Sequence, residues 1–225
     1  METKNFMTTM DEILSRVEKA RLNVDQHRIV KIVAASKSAT PHMIETMYNI
    51  GQRSFGENKV QDMHEKVHAL SYLPLEWHFI GRLQTNKINQ LIDLDPFLMH
   101  SLSSLELAQE IDKRLEVKGK TMNVLLQINS AYEEEKAGVL PELATEIYEQ
   151  IGLTCKHLQL KGIMSIGAHT QEQFIIQKSF ETTYKIFESL QNKGAKHCSM
   201  GMSQDFELAI ACGSNMLRLG SILFK

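Results

Sequence analysis

The sequence is short of the residues that cross-link or interrupt a chain. Its 3 cysteines, Cys155, Cys198 and Cys212, are scattered and odd in number, which argues against a disulfide framework and suits a reducing compartment. Only 4 prolines and 12 glycines are spread through 225 residues, and no low-complexity linker divides them. No apolar run approaches the roughly 18 residues of a membrane span. The opening METKNFMTTMDEI has no apolar core of the kind a signal peptide needs, so nothing directs export and the cytoplasm is the expected location. An excess of charge of one sign is also missing. The 25 basic and 27 acidic side chains leave a formal net charge of -2, too weak a field to gather nucleic acid. There is no P-loop, no dinucleotide fingerprint and no Ser–His–Asp pattern.

What the chain does have is alternation. Short apolar runs at about 29–35, 53–56, 76–80, 97–100, 122–128, 158–164, 196–199 and 215–219 read as strands. Amphipathic segments lie between them. In 171–192, Phe174, Ile175, Phe180, Tyr184, Phe187 and Leu190 recur at helical spacing, as do Leu105, Leu107, Ala108, Ile111 and Leu115 in 104–117. A further helix fits before the first strand, at about 7–23. Strict strand–helix alternation implies a parallel sheet. Eight such units in about 200 residues fit an α/β fold made of a single (β/α)8 barrel with an additional N-terminal helix, one domain spanning 1–225. An open doubly wound sheet is the alternative, because RSFGEN and KHCSM are short enough to be loops.

In a barrel the C-terminal ends of the strands carry the site. The stretch RIVKIVAASKSATPHMIE raises the question directly: Ile29, Val30, Ile32, Val33, Ala34 and Ala35 read as a buried strand, yet Lys37 follows almost at once. A lysine there either snorkels to solvent or holds its amine in a pocket for chemistry. Across the expected mouth, Gly201 permits a tight turn, and Ser203 suits an N-cap before DFELAIA, whose helix start would favour an anion. Gly220 and Ser221 follow the eighth strand as Gly201 and Ser203 follow the seventh, and barrels often bind phosphate with these two loops. Arg218 alternates with Leu217 and Leu219 and shares a face with Met216 and Gly220, which points it into the barrel unless it pairs at the surface. An amine opposite a phosphate cradle suggests a phosphorylated aldehyde. Pyridoxal 5′-phosphate (PLP) has both features, since its aldehyde condenses with an amine to a Schiff base.

The stretches AASK (34–37), FGEN with VQ (55–61), WHFIGRLQTNK (77–87), LQINSAYEEEKAG (126–138), GIMSIG (162–167) and SMGMSQDFELAIACGSNMLRLGSILF (199–224) resemble the PLP homeostasis proteins, single-domain relatives of the alanine racemase barrel. They span nearly the whole chain in the family's order. The resemblance implies Lys37 as the Schiff-base lysine. It implies Ser203, Gly220 and Ser221 at the phosphate with Met202 beside them, Asn58 near the cofactor ring, and Arg218 near the pyridine nitrogen. Two departures stand out: Lys59 where relatives often carry an aromatic, and a chain that stops at Phe224–Lys225.

Racemisation needs a base on each face of the substrate carbanion. Lys37 can serve one face. The racemases resembled here use a tyrosine from a separate β domain for the other. This chain stops after one barrel, and Tyr132 alone among its tyrosines falls in an expected mouth loop. The expectation is a cytoplasmic PLP carrier acting in vitamin B6 homeostasis, by storage or transfer to PLP-dependent apo-enzymes, with little or no racemase activity and in monomeric form. A racemase-like enzyme acting on amino acids is the alternative. A second alternative is zinc hydrolysis by HEKVH, which matches H-E-x-x-H through His64, Glu65 and His68. Against it, no third ligand is spaced to help, and Lys59, Asp62 and Lys66 make the segment polar. Neither a metal site nor a catalytic residue is expected. His169 reads as structural, Cys198 as a small hydrophobe in a strand, and the glutamates of AYEEEKAG as a solvated loop with Lys136 pairing locally.

Overall fold

The computed structural model describes residues 2–224; Lys225 of the short C-terminus lies outside them. Eight parallel strands close in sequential order: β1 (Lys31–Ala35), β2 (Ser54–Glu57), β3 (Glu76–Phe79), β4 (Leu98–Leu102), β5 (Met122–Ile128), β6 (Leu158–Ser165), β7 (His197–Ser199) and β8 (Met216–Leu219). Helix α1 (Glu2–Leu22) precedes the barrel. Around it lie α2 (Pro41–Asn49), α3 (Val60–Ala69), α4 (Ile88–Leu94), α5 (Leu105–Lys118), α6 (Ala144–Thr154), α7 (Gln173–Leu190) and α8 (Phe206–Ala211). The expected barrel with its extra helix is what forms. Pairing of β1 with β8, from Lys31↔Met216 to Ala34↔Leu219, leaves no free sheet edge and excludes the open sheet. Among the described residues no helix is long and apolar enough to cross a membrane.

Two apolar layers hold the barrel. Outward-facing side chains such as Phe55, Phe79 and Leu126 meet helix residues such as Met63, Ile111 and Phe180 in one continuous cluster. A smaller cluster of Val33, Leu98, Leu125, Met164 and Met216 fills the interior. Two irregularities keep polar groups and apolar groups on their proper sides. Val124 pairs with Leu160 but Leu125 pairs with Gly162, so Lys161 is an extra residue in β6. Leu158 and Leu160 therefore face the helices while Met164, of the same parity, faces the interior. A similar shift lies between Met99 and Leu102 of β4.

Helix starts follow local chemistry. The Thr40 side chain accepts a hydrogen bond from the Met43 N–H, and Pro41 follows at the first helical position. Helix α1 buries Ile13 and Val17, and its Arg16 pairs with Glu207 at 2.5 Å while lying over the Phe206 ring. Two expectations fail. Ile29 is 85% exposed, because β1 begins only at Lys31, where pairing with β8 starts. Phe174 and Ile175 are exposed at the start of α7; its buried stripe runs through Phe180, Thr183, Phe187 and Leu190.

Candidate functional site

Lys37 sits in the turn after β1, at the C-terminal face. Its side chain is exposed and has no hydrogen bond or ion pair among the described residues. The turn that carries it is held firmly. The Ser36 N–H donates to the Gly56 carbonyl at 2.9 Å, and the Ala39 N–H donates to the Ser36 carbonyl at 2.9 Å. The Ser36 hydroxyl donates to Glu57 Oε1 at 2.6 Å. Lys66 Nζ donates to the Ser36 carbonyl and to Glu57 Oε1, both at 2.7 Å. Lys66 is thus buried rather than solvated, which corrects the reading of HEKVH. The signal was available, since Lys66 stands three residues beyond Met63, on the apolar stripe of α3. Glu57 is fully buried and its Oε2 is without a partner.

The loops after β7 and β8 close against this turn. Gly201 has φ +93°, and a Cβ there would meet the Ala209 Cβ at 2.7 Å. Ser203 is not an N-cap. Helix α8 starts at Phe206 after Asp205, and the Ser203 hydroxyl oxygen accepts instead from the Gly220 and Ile222 N–H groups, at 3.2 and 3.3 Å. The segment MSQD forms a turn, because Asp205 Oδ1 accepts from the Met202 N–H at 2.6 Å. With six residues, α8 is too short to supply the helix-start anion site expected of it. The spare donors here are loop N–H groups instead: those of Ser203 and Ser221 have no hydrogen-bond partner among the described residues. Ser221 and Met202 are exposed. Gly220 lies beside Ala35, where a Cβ would sit 3.2 Å from the Ala35 carbonyl oxygen and crowd the space between the two loops and the Lys37 turn.

Arg218 points inward, as its parity implied. It is buried and bonds across β7: Nη1 donates to the Ser199 carbonyl at 2.9 Å and to Ser199 Oγ at 2.6 Å, and Nη2 donates to the Ser165 carbonyl at 2.8 Å. Among the described residues no carboxylate pairs with it directly. Burial lowers its pKa to about 10, opposed by the Asp205 charge, so it stays cationic at neutral pH. Burial likewise raises Asp205, against the pull of the Met202 N–H and Arg218. Behind Ser199 runs a buried chain: His100 Nδ1 lies 3.2 Å from Ser199 Oγ, and His100 Nε2 lies 2.9 Å from His78 Nδ1. Burial keeps both imidazoles neutral, lowering His78 to about 3 and His100 well below the ordinary value. The sequence reading missed Ser165, Ser199, His78, His100 and Asp205. The two histidines were detectable as single polar residues on the inward parity of apolar strands, WHF and LMHSL.

The remaining candidates divide. Asn58 follows β2 at the mouth, exposed, with Gly81 packed so closely on it that a Cβ would overlap the Asn58 carbonyl. His64, Glu65 and His68 are exposed on α3. The two ring Nε2 atoms are 3.1 Å apart, but no third histidine, cysteine or carboxylate joins them among the described residues. Tyr132 is exposed in the β5–α6 loop, and its hydroxyl is committed to Glu142 by a hydrogen bond that raises its pKa. Lys136 pairs with Glu133 at 3.0 Å and donates to the Gly167 carbonyl at 2.7 Å, tying two mouth loops together. Cys198 is fully buried with its pKa raised by burial, an inert thiol.

A free amine, spare N–H donors and a buried unpaired cation therefore surround one mouth, a donor set that fits an aldehyde, a phosphate and a ring nitrogen. Residues 9–225 match the family model described as alanine racemase, N-terminal domain. The chain is 58% identical over 221 residues to the pyridoxal phosphate homeostasis protein of Helicobacter pylori strain 26695, covering 98% of this chain and 99% of that one. Among solved structures, it resembles an unknown protein from Bifidobacterium adolescentis (TM-score 0.92, 30% identity, 99% and 96% of the two chains). It also resembles PipY of Synechococcus elongatus with PLP bound (TM-score 0.82, 28% identity, 98% and 100%).

Proposed function

Because the chain belongs to the pyridoxal phosphate homeostasis protein family, within the alanine racemase N-terminal domains, we propose that its barrel mouth binds PLP, with Lys37 as the covalent anchor. The bound group supplies an aldehyde that forms a Schiff base with an amine. The observation that carries the reading is the packing of Gly220 against the end of β1, which brings the loop N–H groups within one mouth with the unpaired Lys37 amine. Ser203, Gly220 and Ser221 take the phosphate, with Met202 beside them and Asn58 near the ring. Arg218 donates to the ring nitrogen. A cation there keeps that nitrogen unprotonated and weakens the ring as an electron sink. PLP bound to PipY supports PLP as the ligand.

The role that follows is vitamin B6 homeostasis by storage or transfer rather than turnover. The candidate second-face base, Tyr132, holds its hydroxyl on Glu142. We assign the chain as one PLP-binding domain, monomeric and cytoplasmic, with PLP-dependent apo-enzymes as recipients. Exposed Tyr132, Phe174 and Met202 around the C-terminal face offer such a recipient apolar contact.

The test is optical and chemical. Protein incubated with PLP turns yellow, and borohydride followed by peptide mapping places the label on Lys37; Lys37→Ala takes no label. Incubated with PLP and alanine in D2O, the protein leaves the α-proton in place over hours. Label on another lysine removes the anchor, and fast stereospecific exchange lost in Lys37→Ala makes the chain a racemase-like enzyme.

A further inference from the structure

The Ser199–His100–His78 chain is too ordered to be filler, and its proton direction follows from one group. An arginine only donates. Both Nη1 hydrogens go to Ser199, one to its carbonyl and one to Oγ. Ser199 Oγ is therefore an acceptor toward Arg218, and its own hydrogen goes to His100 Nδ1. His100 then carries its proton on Nε2 and donates to His78 Nδ1. This leaves a single orphan, the His78 Nε2–H. The reverse direction orphans two groups, the Ser199 hydroxyl hydrogen and the His78 Nε2 lone pair. It also turns every N–H and O–H dipole against the Arg218 charge. Both imidazoles must be neutral for the chain to run this way, and their depressed pKa values agree. Three of the five Arg218 N–H donors are used by Ser199 and Ser165, and two remain.

We infer that Ser199 and His100 are positioning residues: they hold Nη1 of Arg218 so that its free N–H groups face the mouth and donate to the cofactor's ring nitrogen. This rests on the proposed PLP site. Without the His100 acceptor, the Ser199 hydroxyl is free to rotate and compete with the ligand for the guanidinium. The chain reaches from the mouth at β8, through β7 and β4, to β3, so a residue that never touches the cofactor fixes which of its atoms is read.

The experiment compares PLP with its 1-deaza analogue, in which a C–H replaces the ring nitrogen, by spectroscopic titration of wild type, His100→Leu, His100→Asn and Ser199→Ala. The phosphate and aldehyde are the same in both ligands, so the affinity ratio isolates the ring nitrogen. Wild type is expected to prefer PLP by about tenfold or more, the worth of one charge-assisted hydrogen bond. His100→Leu and Ser199→Ala are expected to lose most of that preference. His100→Asn, whose side-chain oxygen replaces the Nδ1 acceptor, keeps it to within about threefold of wild type. A general loss of packing lowers both affinities and leaves the ratio unchanged; if His100→Leu gives no folded protein, Ser199→Ala decides. A wild type that does not discriminate removes the contact between Arg218 and the ring nitrogen itself. A wild type that discriminates, with His100→Leu and Ser199→Ala that discriminate equally, overturns the positioning role and leaves the PLP site standing.

Discussion

At the scale of residues, Lys66 decides how Lys37 is presented. Its ammonium is buried against Glu57, and both brace the Ser36 carbonyl and hydroxyl immediately before Lys37. A buried ion pair contributes less than its Coulomb energy, but removing one partner strands the other charge away from water. Lys66→Met is therefore expected to lower the unfolding free energy by about 3–5 kcal/mol. Glu57→Gln combined with Lys66→Met recovers a large part of that loss, since no stranded charge remains. Urea unfolding of both single variants and the double variant measures the coupling; additive losses would mean that the two side chains do not interact. PLP uptake should fall in Lys66→Met even where the barrel stays folded, because the turn loses its brace.

At the scale of elements, the bulge in β6 sets what lines the mouth. Without Lys161 as an extra residue, Met164 would face the helices with Leu158 and Leu160, and the Ser165 carbonyl would not meet Arg218. Gly162 makes the bulge possible. It has φ +144°, and a Cβ there would stand 2.0 Å from the His197 carbonyl oxygen on β7. Backbone cannot yield as a flexible side chain can. Gly162→Ala is expected to destabilise the fold by more than about 3 kcal/mol, at the severe end of single substitutions. Gly119→Ala is the control: also at positive φ but with open space around it, it should cost only about 1 kcal/mol. Thermal melts compare the two, and equal losses would place the cost in φ alone rather than in the strand contact.

At the scale of the whole molecule, the buried histidines tie stability to pH. An unfolded histidine titrates near 6.5, whereas His78 is held at about 3 by burial, with Lys31 and His197 acting in the same direction and Glu76 against them. His100 is lowered too, by burial first and then by His78 and Arg218. Both folded pKa values are depressed, so below 6.5 the unfolded chain binds protons that the folded chain refuses. The stabilisation is complete above 6.5 and declines as the pH falls toward 3, by about 1.4 kcal/mol per pH unit for each imidazole. Between pH 7.5 and 5.5 the pair alone should cost about 2–3 kcal/mol. Urea unfolding across that range measures it; a flat profile would mean that the imidazoles reach water.

Periodicity and alternation in the sequence determined the eight strand–helix units, the added helix and the face that Arg218 shares with Met216, because each depends on a repeat of two or 3.6 residues along one segment; closure into a barrel and the inward direction of that face were settled by the pairing of β1 with β8 and by the Arg218 contacts. Strand order also placed Lys37, Asn58, Ser203, Gly220 and Ser221 at one end. The tertiary structure alone decided what those residues touch. Lys66 from α3 reaches under the β1 turn, Ser203 joins the next loop instead of capping a helix, and His78 and His100 meet Ser199 across the interior. Such partners lie on different strands and helices, and a bulge such as that at Lys161 reverses parity partway along a strand. Local spacing carries no record of either, because both are fixed by how the sheet closes.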